Sequence, residues 1–214
     1  MPKLNTNHNP YKIVEMFEEA LAEYTGARYA ITTASCTAAL YIVFKYFNIE
    51  DKEIIIPRKT YLSPVQSVIR AGGIPVFKEK EWSGIYDFEP FPIYDAAKRM
   101  KKDMYIENTY MSLSFHIKKH LKIGKGGAIL TNDSKFVEFA KKMRYEGRTA
   151  GFSYHYDDVE LLGTNDYMRP QDAALGLCLL EVLPEYNEDL GENPPYKNLD
   201  EFTLFKDCKI IPGC

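Results

Sequence analysis

The chain has 214 residues, of which 45% are hydrophobic and 27% are charged, and its formal net charge is −3. This length is enough for one sizeable core and a small appendage. The mildly acidic balance argues against bulk nucleic-acid binding, although it allows a local phosphate site. No apolar run approaches the roughly 18 residues that span a bilayer, and the polar start is not typical of a signal peptide. We therefore expect a soluble, cytoplasmic protein that binds neither nucleic acid nor membrane.

The four cysteines, Cys36, Cys178, Cys208 and Cys214, form no C-x-x-C pair and have no histidine partner at zinc spacing. So few cysteines in a chain of this length do not predict a disulfide framework. We expect free thiols in a reducing compartment and no metal site.

The first part of the chain alternates helices and strands. The segment "NPYKIVEMFEEALAEYTG" predicts a helix that is capped by Asn9 and closed by Gly26. Predicted strands and helices then alternate in the order "ARYAITT", "SCTAALYIVFKYF", "KEIIIP", "YLSPVQSVIRAGG" and "IPVF". This rhythm predicts an α/β domain with a largely parallel sheet.

The rest of the chain is less periodic. No helical period is present between Lys78 and Pro92, whereas "FPIYDAA" predicts a strand and a turn, and "MYIENTYMSLSF" predicts two short strands. "GGAILT" predicts a further strand. Asp133 is expected to cap the next helix, and Pro170 to begin the last one.

Two strand ends carry residues suited to a functional site. The segment "TTASCTAAL" leads from a strand into a helix whose free N–H groups suit a phosphate, although ordinary helix capping is the better explanation of this segment taken alone. Asp95 ends an apolar strand at the carboxyl end of the sheet, where α/β sites lie; it pairs with a buried cation or a protonated ring nitrogen, or it caps a helix over "AAKRMKK".

Two loops carry the other candidates. The stretch from Ser114 to Lys125 gathers four lysines and two histidines, which forms a solvated basic loop or a setting that keeps one amine reactive. In "GTNDYM", Asn165 precedes a helix and offers its amide to an anion, or it belongs to a plain turn.

Together these segments resemble the pyridoxal-phosphate-dependent sugar aminotransferase family known as DegT/DnrJ/EryC1/StrS. "SCTAAL", "PRKTYLSPVQSVIRAGGIPVF", "YDAAK" and "GTNDYM" are similar to its motifs, in the same order. "SFHIKKHLKIGKGGAILTND" matches the family pattern S-F-H-x-x-K-x-x-x-x-G-x-G-G-x-x-x-T-N-D without a gap. The resemblance implies the three-layer α/β large domain of aspartate-aminotransferase-like, fold type I enzymes, with a shortened sheet. It implies a cofactor-binding domain over residues 1–185 and a short C-terminal tail over 186–214.

The resemblance also implies roles in binding pyridoxal 5′-phosphate. By motif position, Lys119 forms the Schiff base, whereas Lys118 is one residue off. Asp95 would keep the pyridinium nitrogen protonated, and Tyr61 would stack on the ring.

The cofactor phosphate would be bound by Thr37, Ser114 and the backbone of Cys36. Asn165 would reach the phosphate of a neighbouring subunit, so the resemblance implies a homodimer with shared sites.

Three departures from the family pattern are present. Lys98 replaces the glutamine that would contact the ring hydroxyl, so the resemblance implies a second amine, Lys98, at the cofactor. Tyr167 replaces the arginine of G-x-N-x-R-M. Family members are longer, so we expect a shortened member that lacks most of the small C-terminal domain. The stretch before Asp95 is also short, so we expect the sheet to lack at least one strand and the aromatic residues to form an extended flap over its edge. These aromatic residues are Trp82, Tyr86, Phe88 and Phe91.

The resemblance implies amino transfer from L-glutamate to a keto-sugar nucleotide. One alternative is a dimeric cofactor-binding remnant without full transaminase activity. Another is a pyridoxal-phosphate-dependent sugar dehydratase or lyase, although dehydratase relatives carry histidine where this chain has Lys119.

Overall fold

The computed structural model describes residues 9, 11–150, 153, 155–192 and 195–213. Its helices are α1 Lys12–Thr25, α2 Cys36–Tyr46, α3 Leu62–Arg70, α4 Ser134–Met143 and α5 Pro170–Glu181. Its strands are β1 Tyr29–Thr33, β2 Glu53–Pro57, β3 Ile74–Lys78, β4 Tyr86–Asp87, β5 Ile93–Asp95, β6 Tyr110–Ser114, β7 Gly127–Thr131 and β8 Lys209–Ile211. Within these ranges, no helix has the length and apolar character that crossing a membrane requires.

Most of the predicted helix ends are confirmed. The Ser35 side chain caps α2 by accepting from the backbone of the third helical residue, and the Asp133 side chain caps α4. Gly26 ends α1 in the left-handed conformation, with φ of 74°. Pro170 begins α5, where its missing N–H costs no hydrogen bond.

Two local predictions are wrong. Asn9 does not cap α1, which begins at Lys12 with Tyr11 as its N-cap; the Asn9 side chain instead accepts from the Tyr11 N–H at 3.0 Å. The segment "MYIENTYMSLSF" contains one strand, β6, because the chain before it is irregular with a turn at residues 107–108, where the Thr109 hydroxyl donates to the carbonyl of Ile106.

Strands β1, β7, β6, β5 and β4 form one sheet in that order, and β2, β3 and β8 form a second. The predicted largely parallel arrangement is wrong for the five-stranded sheet, in which only β5 and β6 pair in parallel. The antiparallel pairs arise because the chain returns into β7, and from β4 into β5, without a crossover helix. The second sheet is parallel throughout.

Helices cover both faces of the sheets. Side chains of α2, α3 and α4 pack into one apolar cluster, and those of α1 and α5 pack into another. All five residues of β7 are buried; Ile129 faces the first cluster, whereas Ala128 and Leu130 face the second. This alternation defines three layers, with the sheet in the middle.

The aromatic segment before β5 lies in the gap between the two sheets. β4 pairs with β5 on one side, and on the other the Ile55 N–H of β2 donates to the carbonyl of Glu89 at 3.0 Å. Phe88 is fully buried against Phe44, with ring centroids 5.1 Å apart. The predicted extended conformation is correct for Tyr86, but the segment joins the sheets instead of covering an outer edge.

The C-terminal tail packs on the same core. β8 extends the second sheet by pairing with β3. The Arg58 guanidinium donates to both carboxylate oxygens of Asp200, at 2.6 and 2.8 Å, and the Leu199 N–H donates to the Arg58 carbonyl at 2.9 Å. Leu199 and Phe205 are buried in the first apolar cluster.

We expect Phe205→Ala to destabilise the whole chain. Phe205 is 2% exposed and packs edge-on against Phe77 with ring centroids 6.4 Å apart, so its removal leaves a cavity. Such a cavity costs about 3–5 kcal/mol, which lowers the melting temperature by roughly 10 °C. Leu204→Ala is the matched control, because Leu204 is 69% exposed. Thermal unfolding followed by circular dichroism gives the answer, and equal melting temperatures for the two variants would show that the tail does not contribute to the core.

Candidate active site

Three strands of the five-stranded sheet have their carboxyl ends on the same side of it; this side is called the sheet edge below. β1, β5 and β6 run in the same direction, and antiparallel β7 begins where they end. In this register Gly127 lies between Thr33 and Ser114. A Cβ on Gly127 would stand 2.5 Å from the backbone nitrogen of Cys36, so only glycine lets the start of α2 lie this close to β7.

The first turn of α2 therefore faces Ser114. The start of a helix has N–H groups without intrahelical partners and carries the positive end of the dipole. Cys36 and Thr37 are half-buried there, and Ser114 is half-buried at the end of β6. The three predicted phosphate-binding residues are brought together in a setting that suits an anion.

Asp95 is buried at the end of β5, where hydrogen bonds fix both of its oxygens. The Ala97 N–H donates to Oδ1 at 2.8 Å, and the Tyr86 hydroxyl donates to Oδ2 at 3.1 Å. The Thr60 hydroxyl in turn donates to the Tyr86 hydroxyl at 3.1 Å. The carboxylate is thus held in one orientation at the same edge as the start of α2.

The ionisation of Asp95 and of the Cys36 thiol depends on burial and on neighbouring charges. Desolvation raises the pKa of Asp95, and the two hydrogen bonds together with the positive charges of Lys119 and Lys98 oppose that rise. Desolvation also raises the pKa of the Cys36 thiol; the Asp95 carboxylate adds to this rise, and Lys119 opposes it. The site therefore combines a buried acid with a nearby amine.

Lys119 lies in the turn that follows β6. Phe115 anchors this turn by packing on Phe17, with ring centroids 5.6 Å apart, and the Lys119 N–H donates to the His116 carbonyl at 2.8 Å. Lys119 is half-buried, whereas Lys118 is exposed. The two lysines therefore differ in exposure, and the assignment of Lys119 as the cofactor-binding lysine stays a prediction.

Tyr61 and Asn165 lie at the rim of the site. Tyr61 precedes α3, is 57% exposed, and its ring lies 6.4 Å from that of Tyr196. Asn165 is exposed and donates to the Glu146 carboxylate at 2.9 Å. Its loop lies beside the start of α2, because the carbonyl of the next residue accepts from the Ala34 N–H at 2.6 Å.

Lys98 is held by side chains from two other segments. Its Nζ lies 2.9 Å from a Glu192 carboxylate oxygen, 5.0 Å from the ring centre of Trp82 and 4.7 Å from that of Tyr196. The Lys98 side chain is only 8% exposed. The Tyr196 hydroxyl donates to the Glu192 carboxylate. A cavity of about 230 Å³ opens beside this group, and its charged lining residues are Lys59, Lys80 and Lys98 together with Glu79, Glu81 and Glu192.

Several residues of the site are not signalled by any motif. Tyr86 and Thr60 orient Asp95, but a single tyrosine or threonine in a strand or loop carries no pattern that marks it. Glu192 and Tyr196 come from the tail, far along the chain from Lys98, and only the folded chain brings them together. Among the described residues, no group of three or more His, Cys, Asp or Glu side chains is arranged to hold a metal ion.

Comparison with known proteins identifies the fold and the family of this chain. The structure superimposes on Helicobacter pylori PseC, an aminotransferase of pseudoaminic acid biosynthesis, with a TM-score of 0.66 and 22% identity over 84% of this chain and 59% of that one. The fold is therefore that of fold type I pyridoxal-phosphate-dependent transferases, as predicted. The profile of the DegT/DnrJ/EryC1/StrS aminotransferase family matches residues 3–83 and 106–196, and the chain belongs to this family.

Curated relatives agree with this assignment. GDP-perosamine synthases of Vibrio cholerae and Caulobacter vibrioides are 22% and 27% identical to this chain, over 79% and 81% of its length. The chain spans 57% of the length of each of these relatives. The family match leaves out residues 84–105, which include Asp95 and Lys98.

The residues at the sheet edge fit the cofactor of this family, pyridoxal phosphate. An amine, a buried carboxylate and a helix start with nearby hydroxyl groups are the donors that the aldehyde, the ring nitrogen and the phosphate require. In addition, Ser112, which pairs with Asp95 across the sheet, has a buried hydroxyl without a hydrogen-bond partner in the described part of the chain.

Proposed function

We propose that this chain binds pyridoxal phosphate at the sheet edge and transfers an amino group from L-glutamate to a keto-sugar nucleotide. The observation that carries the proposal is the convergence of Lys119, Asp95 and the start of α2 at the ends of β6, β5 and β1. The names of the relatives, which include GDP-perosamine synthases, support a sugar nucleotide as the acceptor.

The phosphate would lie at the first turn of α2. The backbone N–H groups of Cys36 and Thr37 would donate to it together with the Thr37 and Ser114 hydroxyls. Tyr61, at the start of α3, would cover one face of the ring. Bound pyridoxal phosphate supplies an electron sink for the bond that is broken at the donor's Cα.

Asp95 would hold a proton on the ring nitrogen. Its Oδ2 is oriented by Tyr86 and its Oδ1 by the Ala97 N–H, so the carboxylate cannot turn away from a ring above the strand end. A protonated ring nitrogen offers Asp95 the positive charge that offsets its burial.

Lys119 would have two roles. Its amine would attach the cofactor covalently, and once released it would carry the proton that leaves the donor's Cα. The half-buried setting of Lys119, compared with exposed Lys118, keeps this amine close to the Asp95 carboxylate.

The proposal includes a homodimer with shared sites. Exposed Asn165 is available to a second subunit, and the same loop exposes Tyr156 (86%), Val159 (53%) and Leu162 (93%). Exposed apolar side chains gathered in one loop are typical of a protein contact surface. A cytoplasmic location also stays a prediction.

The test is a spectroscopic titration of the purified chain. We expect added pyridoxal phosphate to give a visible absorption band that resists gel filtration. L-glutamate should bleach this band, and a keto-sugar nucleotide should then restore it. A stable band that glutamate does not bleach would support the cofactor-binding remnant instead, and no band at all would contradict both functions.

A further inference from the structure

The group around Lys98 is a buried ion pair that only the tail of the chain completes. Lys98 follows the turn after Asp95, whereas Glu192 and Tyr196 lie in the tail, and Trp82 lies in the segment before β4. The charge of Lys98 acts on Asp95, and that of Lys119 acts on Glu192, so this group lies within electrostatic range of the candidate active site. Its position beside the candidate active site raises the question of what it binds.

Hydrogen bonds to Arg99 and to the Lys98 backbone hold the tail next to Lys98. The Arg99 guanidinium donates to both Asp189 oxygens, at 3.0 and 2.6 Å, and the Leu190 N–H donates to the Lys98 carbonyl at 3.0 Å. Gly191 follows, and a Cβ there would meet nothing within 4 Å. The backbone is therefore held at Leu190, and open space borders Gly191.

Glu192 is ionised but not enclosed. Desolvation acts to raise its pKa, but hydrogen bonds with Tyr196 and Lys98 and the charge of Lys119 lower it overall. The Glu192 side chain is 32% exposed, compared with 8% for Lys98. The carboxylate thus reaches in from the solvent side, whereas the ammonium group lies inside.

Lys98 requires an anion at all times. A buried ammonium group that loses its partner is strongly destabilised, and the ring faces of Trp82 and Tyr196 offset only part of that cost. If Glu192 swings towards solvent, an incoming carboxylate keeps Lys98 paired, whereas a neutral ligand leaves its charge uncompensated. The cavity beside Lys98, of about 230 Å³, has room for a small dicarboxylate.

We propose that Lys98 is a carboxylate-binding residue of this site and that Glu192 occupies its place until a substrate carboxylate displaces it. Within the proposed function, on which this inference rests, the ligand is one carboxylate of the amino donor. Tyr167 stands where the family pattern has an arginine, so the chain lacks that cation at that position.

Binding of glutarate, which has no amino group and cannot react, tests this separately from catalysis. Trp82 is the chain's only tryptophan and lies over Lys98, so its fluorescence reports binding. In the chain loaded with pyridoxal phosphate, we expect Glu192→Gln to bind glutarate at least about 5-fold more tightly than the unmodified chain. We expect Lys98→Gln to bind it at least about 10-fold more weakly.

Glu185→Gln is the matched control, because Glu185 lies in the same tail in an exposed pair with Lys102 and should leave glutarate affinity unchanged. Melting curves check that each variant is folded. Unchanged affinity in Lys98→Gln, or no gain in Glu192→Gln, overturns the inference. Because glutarate binding needs no amino transfer, such a result leaves the visible band and its bleaching by glutamate, and hence the proposed function, intact.

Discussion

Lys119→Ala should lose the visible band of bound pyridoxal phosphate and at least about 10³-fold of any amino transfer activity. Without the Nζ amine the cofactor is not attached, and no group remains to carry the proton from the donor's Cα. Lys119 is the lysine whose charge interacts with Asp95 and Cys36, so no neighbouring lysine is expected to replace it.

Lys118→Ala is the matched control for this experiment. Lys118 is exposed and adjacent in sequence, so its removal changes the net charge equally but should leave the band in place. Borohydride reduction followed by peptide mapping identifies the attachment residue directly. A label on Lys118 or on Lys98 would show that the motif alignment is shifted.

Asp95→Asn should separate stability from activity. A neutral amide cannot hold a proton on the ring nitrogen, so amino transfer is expected to fall on the order of 10²–10³-fold while the cofactor still binds. The cofactor-free variant should nevertheless be more stable than the unmodified chain at neutral pH, because burial raises the pKa of Asp95 and so disfavours its charged form in the fold.

The stability gained by Asp95→Asn should depend on pH. The folded pKa of Asp95 is raised, so the unmodified chain loses stability as pH rises from the unfolded pKa of about 3.9 through the folded value. The advantage of Asp95→Asn is therefore present at neutral pH and disappears near pH 4 or below. Melting temperatures of the cofactor-free proteins across this range measure it.

Asp189→Asn provides the opposite case in the same assay. Hydrogen bonds from Arg99 lower the pKa of Asp189, so its charge stabilises the fold at neutral pH, and that stabilisation is lost as pH falls through the folded pKa. We expect Asp189→Asn to be less stable at neutral pH. If Asp95→Asn is also less stable at neutral pH, desolvation does not dominate the pKa of Asp95. If the amino transfer rate of Asp95→Asn is unchanged, Asp95 does not act on the ring nitrogen.

The sequence was sufficient for the elements that local chemistry specifies. Asp133 and Pro170 mark helix starts through their own side chains, and each lies where the sequence predicts it. The family motif selects Lys119 over Lys118 as the cofactor-binding lysine, which stays a prediction although the two differ in exposure.

The sequence was insufficient where pairing depends on distant segments. Whether β7 runs parallel or antiparallel depends on how the chain returns to the edge, which the apolar run "GGAILT" does not encode. The partners of Lys98 lie in the tail, and the ionic and aromatic contacts that select them exist only after folding.

The segment between β3 and β5 shows where this architecture tolerates changes in length. Asp95 is placed by its pairing with Ser112 in β6 and by Tyr86, and neither β2 nor β3 borders it in the sheet. A short linker, whose Phe88 packs on Phe44, is therefore enough to join the two sheets through the hydrogen bond at Ile55. Insertions or deletions in the part of this linker that precedes Tyr86 change how the two sheets are joined, whereas the pairing of Asp95 with Ser112 and Tyr86 keeps the carboxylate in place.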